Sequence, residues 1–151
     1  MQTITRRQAL ALGSGAIAVI TIGDISPSFA TPAETDAEIA KFTGGKAMDK
    51  GKISIDLSEI AENGNTVPLS VVVESPMTAD NYISDILVVA DGNPRPGVAT
   101  FHLTPLSGKA TAATRIRLQT TQNIIVVAKT NDGKFFTDRK QVKVTIGGCG
   151  G

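Results

Sequence analysis

Residues 123–137 read NIIVVAKTNDGKFFT: an apolar run rich in β-branched side chains, the turn pair Asp132-Gly133, and a second run that opens with Phe135 and Phe136. Branched and aromatic side chains suit a pleated surface, and Asp-Gly between two such runs signals a hairpin, because glycine accepts the positive φ of a tight turn. The same grammar extends in both directions. KISIDL (52–57) alternates; Asn63-Gly64 precedes TVPLSVVVE (66–74); YISDILVVA (82–90) ends at Asp91-Gly92; PGVATFHL (96–103) runs up to Pro105; ATRIRLQ (113–119) leads into the hairpin, and QVKVTI (141–146) follows KFFT (134–137). Runs this short and this regularly punctuated predict an all-β domain, an immunoglobulin-like antiparallel β-sandwich. No strand–helix alternation supports a nucleotide-binding parallel sheet.

Ahead of the strands, TDAEIAKF (35–42) places Thr35 and Glu38 at capping-box spacing and Ile39 and Phe42 on one side, and Gly44-Gly45 follows. This predicts one short N-terminal helix. The start of the chain has another character: TRRQAL, an apolar stretch from Ala9 to Ile22, then Pro27 and the small-residue exit Ser28-Phe29-Ala30. Arg6 and Arg7 form the pair of a twin-arginine export signal, with cleavage expected after Ala30. A stretch limited to Ala9–Ile22 is short of the roughly 20 residues that span a bilayer. No cysteine follows the cut, which excludes a lipoprotein anchor. The expected organisation is a cleaved signal at 1–30, a helix plus sandwich at 31–146, and an arm at 147–151.

Lys and Arg total 15 against 14 Asp and Glu, and loss of Arg6, Arg7 and Asp24 with the leader makes the two signs equal. A nucleic-acid binder would be more basic. The twin-arginine route carries folded proteins, which suits a cofactor inserted before export or a partner assembled before it. The sequence shows no cofactor motif, so no cofactor is expected and a partner is favoured.

His102 is the single histidine, so neither a catalytic triad nor a histidine-based metal cluster can be assembled around it. With Phe101 and Leu103 on the opposite face of a strand, its expected role is structural. TRIRL places Arg115 and Arg117 on one face, by default a solvated one and alternatively an anion- or partner-facing one. No catalytic residue and no metal ligand is expected.

Cys149 stands apart. It is the sole cysteine, in IGGCGG (146–151), and can be neither buried by its glycine neighbours nor bridged within the chain. An intermolecular disulfide and an inert tail remain alongside a functional thiol. Gly147, Gly148, Gly150 and Gly151 make a thin, flexible arm that fits a narrow cleft, and at about 3.3–3.6 Å per residue Cys149 reaches roughly 10 Å past Ile146. A free thiol with a pKa near 8.5 is only about 3% thiolate at pH 7, so activation falls to the enzyme that receives the arm. These residues fit a covalent carrier that is not itself an enzyme. The alternative is an exported immunoglobulin-like interaction module that uses the tail cysteine for an intermolecular disulfide. Activation at Gly150-Gly151 in the ubiquitin manner is disfavoured, since adenylation needs ATP and the leader directs the chain out of the cytoplasm. Bulky residues at Gly147 and Gly148, past the last strand, are expected to spare folding and impair turnover.

The tail VKVTIGGCGG (142–151), the twin-arginine leader, and the stretches AENGNTVPL (61–69), NPRPGVATFHLTP (93–105), TRIRL (114–118) and VVAKTNDGKFF (126–136) resemble the SoxY family of the bacterial thiosulfate-oxidising system. The resemblance spans essentially the whole mature chain, and GGCGG is its most specific part. It implies a periplasmic carrier whose Cys149 is the covalent attachment point. There a c-type cytochrome complex of the SoxAX kind conjugates thiosulfate oxidatively to a cysteine S-thiosulfonate. A SoxB-like hydrolase then releases sulfate, and a SoxCD-like sulfur dehydrogenase oxidises the remaining sulfane sulfur in systems that have one. The resemblance also implies a SoxZ-like β-sandwich subunit, which lacks a leader and is exported in complex. Without an appended second sandwich, the chain resembles the unfused form.

Overall fold

Entry into the fold is set by TPAE, residues 31–34. In the computed structural model, which describes residues 31–147, helix α1 spans Pro32–Thr43 and its cap lies one turn ahead of the expected one. Thr31 Oγ1 accepts the Glu34 N–H at 3.3 Å, and the Glu34 carboxylate accepts the Thr31 N–H at 2.7 Å. Pro32 occupies N1, where its missing N–H would have had no partner anyway. The Thr35/Glu38 spacing is therefore not the cap: Thr35 is buried inside the helix, and its Oγ1 has no partner among the described residues. Gly44, left-handed at φ 65°, ends the helix where Gly44-Gly45 predicts. Thr31→Ala is expected to cost about 1 kcal/mol, the usual worth of such a cap, read as a lowered denaturation midpoint with an unchanged m-value.

Among the described residues nine strands follow: β1 (Asp49–Lys50), β2 (Ile53–Leu57), β3 (Ile60–Asn63), β4 (Val67–Val73), β5 (Ile83–Ala90), β6 (Gly97–His102), β7 (Ala110–Ile116), β8 (Gln122–Thr130) and β9 (Phe135–Ile146). One sheet has the order β1-β9-β8-β5-β6, with β3 also paired to β9; the other is β2-β4-β7. The two pack as a sandwich. Ile86, Val88, Ile124 and Val126 of the larger sheet meet Leu69, Val71 and Ala112 of the smaller in one core. Leu87, Val89, Val127 and Phe135 point the other way, where Ile39 and Phe42 of α1 cover them. Buried on both faces, β5 and β8 read as continuous apolar runs, while β4 and β7 alternate.

The antiparallel sandwich that the strand pattern predicts is corrected in one respect: the larger sheet is mixed. β1 and β3 both pair parallel to β9, through Asp49–Phe136 and Lys50–Thr137 at one end and Ile60–Lys143 and Ala61–Val144 at the other. Such edge strands are joined by backbone hydrogen bonds and need no apolar alternation; DK and IAEN carry little. KFFT and QVKVTI are also one strand, because Asp138 and Arg139 lie on exposed pleats and do not interrupt it. β7 begins at Ala110, earlier than its first branched apolar residue suggests.

At the 132–133 hairpin, Gly133 takes φ 81° and the Thr130 N–H reaches the Lys134 carbonyl at 3.0 Å. The Lys134 ammonium, 2.8 Å away, and the Thr130 hydroxyl hydrogen-bond the Asp132 carboxylate and hold its pKa down at about 2. A depressed carboxylate stabilises the fold above the ordinary value near 4, and that contribution is lost as pH falls toward about 2. Asp132→Asn should therefore flatten the acid limb of a melting-temperature profile across that window. The effect should be small, since both side chains are solvated.

Candidate functional site

Cys149, Gly148, Gly150 and Gly151 lie outside the described residues, as do Arg6 and Arg7. The structure does describe the end of β9 and the segments packed around it. β9 ends at Ile146, whose carbonyl accepts the Gly64 N–H at 2.7 Å; the Gly64 carbonyl in turn accepts the Leu118 N–H at 2.8 Å. Three segments are thereby laced together at the root: the end of β9, the turn after β3, and the stretch 117–121 between β7 and β8.

Two buried carboxamides hold that stretch. Asn93 donates from Nδ2 to the Arg117 carbonyl at 2.8 Å and accepts on Oδ1 from the Gln119 N–H at 3.0 Å. Gln122 donates from Nε2 to Asn93 Oδ1 and to the Thr120 carbonyl, both at 3.0 Å, and accepts the Gly92 N–H at 2.8 Å. Thr121 Oγ1 accepts the Val144 N–H at 3.0 Å and ties the stretch back to β9. Against this brace lies Gly147: a Cβ built there would stand 2.2 Å from the Gln119 carbonyl oxygen. The expectation that bulk is tolerated at Gly147 is thus overturned, because backbone occupies the space a side chain would need.

Elsewhere the sequence reading meets the structure directly. Arg115 and Arg117 are exposed while Ile116 and Leu118 are buried. Phe101 and Leu103 pack on the core and leave the His102 side chain exposed, as their alternation predicts. Its ring is nonetheless engaged, with Nδ1 2.6 Å from Asp85 Oδ1. Burial raises the Asp85 pKa, but hydrogen bonds from Ser84 and His102 and the charge of Lys129 outweigh it, leaving the carboxyl below its ordinary value. Sequence reasoning missed Asp85, Asn93 and Gln122. Only the β5–β6 register brings Asp85 opposite His102, and the two amides are ordinary turn and strand-entry residues until the fold buries them. Among the described residues no group of three or more His, Cys, Asp or Glu is placed to hold a metal ion, and no helix is long and apolar enough to cross a membrane.

A two-sheet β domain whose last strand leads from a braced end into a glycine-flanked cysteine has the build of a small carrier protein. Residues 39–149 match the family model described as sulfur oxidation protein SoxY, and the chain belongs to the SoxY family. The sulfur carrier protein SoxY from Chlorobium limicola f thiosulfatophilum is 32% identical, with a TM-score of 0.65 over 77% of this chain and 100% of that one. Superoxide reductase (neelaredoxin) from Ignicoccus hospitalis has 17% identity and a TM-score of 0.56, covering 76% of this chain and 94% of its own. A putative superoxide reductase from Thermotoga maritima has 19% identity and a TM-score of 0.52, covering 68% and 89%. These last two share the fold alone. No match was found among curated proteins. Membership of the SoxY family assigns sulfur carriage, a non-catalytic role, in a family that is typically periplasmic.

Proposed function

We propose that this protein is a periplasmic carrier that holds thiosulfate-derived intermediates covalently on Cys149 and presents them to the enzymes of thiosulfate oxidation. The observation that carries the reading is the span of the family match, which runs from α1 to Cys149 itself. In the loading step the Cys149 thiol loses its proton and forms an S–S bond to the outer sulfur of thiosulfate, and two electrons pass to a c-type cytochrome complex of the SoxAX kind. A SoxB-like hydrolase then adds water across the S–SO3 bond, releasing sulfate and one proton and leaving a persulfide, –SSH, on Cys149. A SoxCD-like dehydrogenase is the further partner where the sulfane sulfur is oxidised.

The domain supplies no base for these steps; it supplies delivery. Glycine at 147, 148, 150 and 151 leaves the thiol without bulky neighbours, so a narrow catalytic cleft can admit it. Export follows the Arg6-Arg7 leader, with a SoxZ-like subunit bound to the folded, immunoglobulin-like sandwich. Intact-mass analysis of protein from thiosulfate-grown cells is expected to find sulfur adducts on the peptide that holds Cys149. A wholly unmodified thiol, with the pathway active, would overturn the proposal.

A further inference from the structure

We infer that the free margin of β7 is a docking site for a single extended segment of a partner protein, laid over β6 as a fourth strand of the smaller sheet. The first observation is a mismatch of layers: the larger sheet runs β9-β8-β5-β6 where the smaller has only β2-β4-β7. β2 packs against β9 and β8. Strands in both sheets are spaced by about 4.8 Å, so three strands counted from there end above β5, and β6 projects past them. Burial records the overhang. Ile86 and Val88, which face the core from β5, are wholly buried, whereas Val98 and Phe101 of β6 and the adjoining Leu103 are only partly covered. An apolar ledge therefore runs beside β7.

The second observation is the quality of the β7 edge. It pairs with β4 through every residue from Ala110 to Ile116 without a shift of register, while β6 slips against Val88 and Val89, an irregularity that spoils an edge for further pairing. With no strand on its other side, β7 turns alternate N–H and C=O groups outward. It holds no proline, and its one charge is Arg115, exposed on the outer face.

These features also select the occupant. A second copy is excluded, because joining β7 to its own counterpart would drive the two overhanging β6 strands into the same space. The ledge takes one strand that brings no sheet with it, such as a chain terminus or a long loop. Its 7 residues at about 3.4 Å each give a margin of roughly 24 Å, and a strand laid along it buries on the order of 1,000 Å² in all. A stable complex buries about 1,600 Å², so the site suits a partner that visits and leaves. The pleat sets the chemistry of the segment: apolar side chains at alternate positions rest on Val98 and Phe101, and a carboxylate among the outward ones stands abreast of Arg115.

Amide exchange of the isotope-labelled protein tests the site with a short synthetic peptide as probe. The peptide alternates valine and threonine, with aspartate in its first outward position, which an antiparallel strand sets beside Arg115. At about 1 mM it should slow exchange of the outward amides of β7 by at least about fivefold and leave those of β2 and β6 unchanged. Lysine in place of the aspartate should weaken binding at least about threefold, and Arg115→Glu, on an exposed side chain, should reverse that preference. A peptide of the same composition without the alternation should leave β7 unprotected. Protection at β2 or β6 instead, or equal binding of the aspartate and lysine peptides, would overturn the inference, as would no protection at all. Protection of β7 that grows with protein concentration in the absence of peptide would give the margin to a second copy and overturn it equally. None of these outcomes depends on sulfur carriage.

Discussion

Cys149→Ser is expected to abolish sulfur loading, with thiosulfate-dependent turnover in a mixture of the pathway enzymes falling to the level of a mixture without any carrier. The expected loss is complete because the chemistry has no fallback. The thiol is the only sulfur nucleophile of its kind in the chain, and a serine hydroxyl cannot form the S–S bond through which thiosulfate is conjugated. Stability should be unaltered within about 0.5 kcal/mol, since the change falls beyond the end of β9 at Ile146. Intact mass, turnover and denaturant unfolding on one preparation separate chemistry from folding. Turnover restored by the serine variant would reject the carrier and favour a disulfide-locked interaction module, visible as a dimer of the parent protein in non-reducing electrophoresis.

Ile86→Ala is expected to destabilise the domain by about 3–4 kcal/mol, a large share of the 5–15 kcal/mol typical of a domain. Ile86 is 0% exposed on β5, with Phe101 beside it on β6 and Ala128 on β8, and its side chain points into the core between the sheets. Two packed layers leave little freedom for collapse around the cavity. Urea unfolding should show the midpoint falling at constant m, whereas Val72→Ala, on the solvated face of β4 at 45% exposure, should cost within about 0.5 kcal/mol. A loss below about 1 kcal/mol at Ile86 would mean that the inter-sheet core is not close-packed as described.

The central strands were legible because their side chains record burial. NIIVVAKT and YISDILVVA are apolar on both faces, and β8 and β5 are indeed covered by the second sheet on one side and α1 on the other. The Asp132-Gly133 turn was legible because positive φ restricts the residues that can stand there. The edge strands β1 and β3 were not, since backbone groups rather than side chains join them to β9. The helix cap was placed a turn late because two overlapping Thr-x-x-Glu spacings occur and only Pro32 tells them apart. The cysteine could be singled out from composition alone. The hydrogen-bonded brace at the end of β9 could not, because it joins residues 64, 93, 118, 119, 122 and 146, which adjoin only after the sheets close.

The two parallel segments on β9 also govern how this molecule can meet others. With Asp49–Lys50 docked at one end of that border and Ile60–Asn63 at the other, a visiting chain has no uninterrupted row of amides there to zip onto. Strand-by-strand growth is interrupted along that flank. The long free margins, from which a neighbour could extend a sheet, are those of β6, β2 and β7.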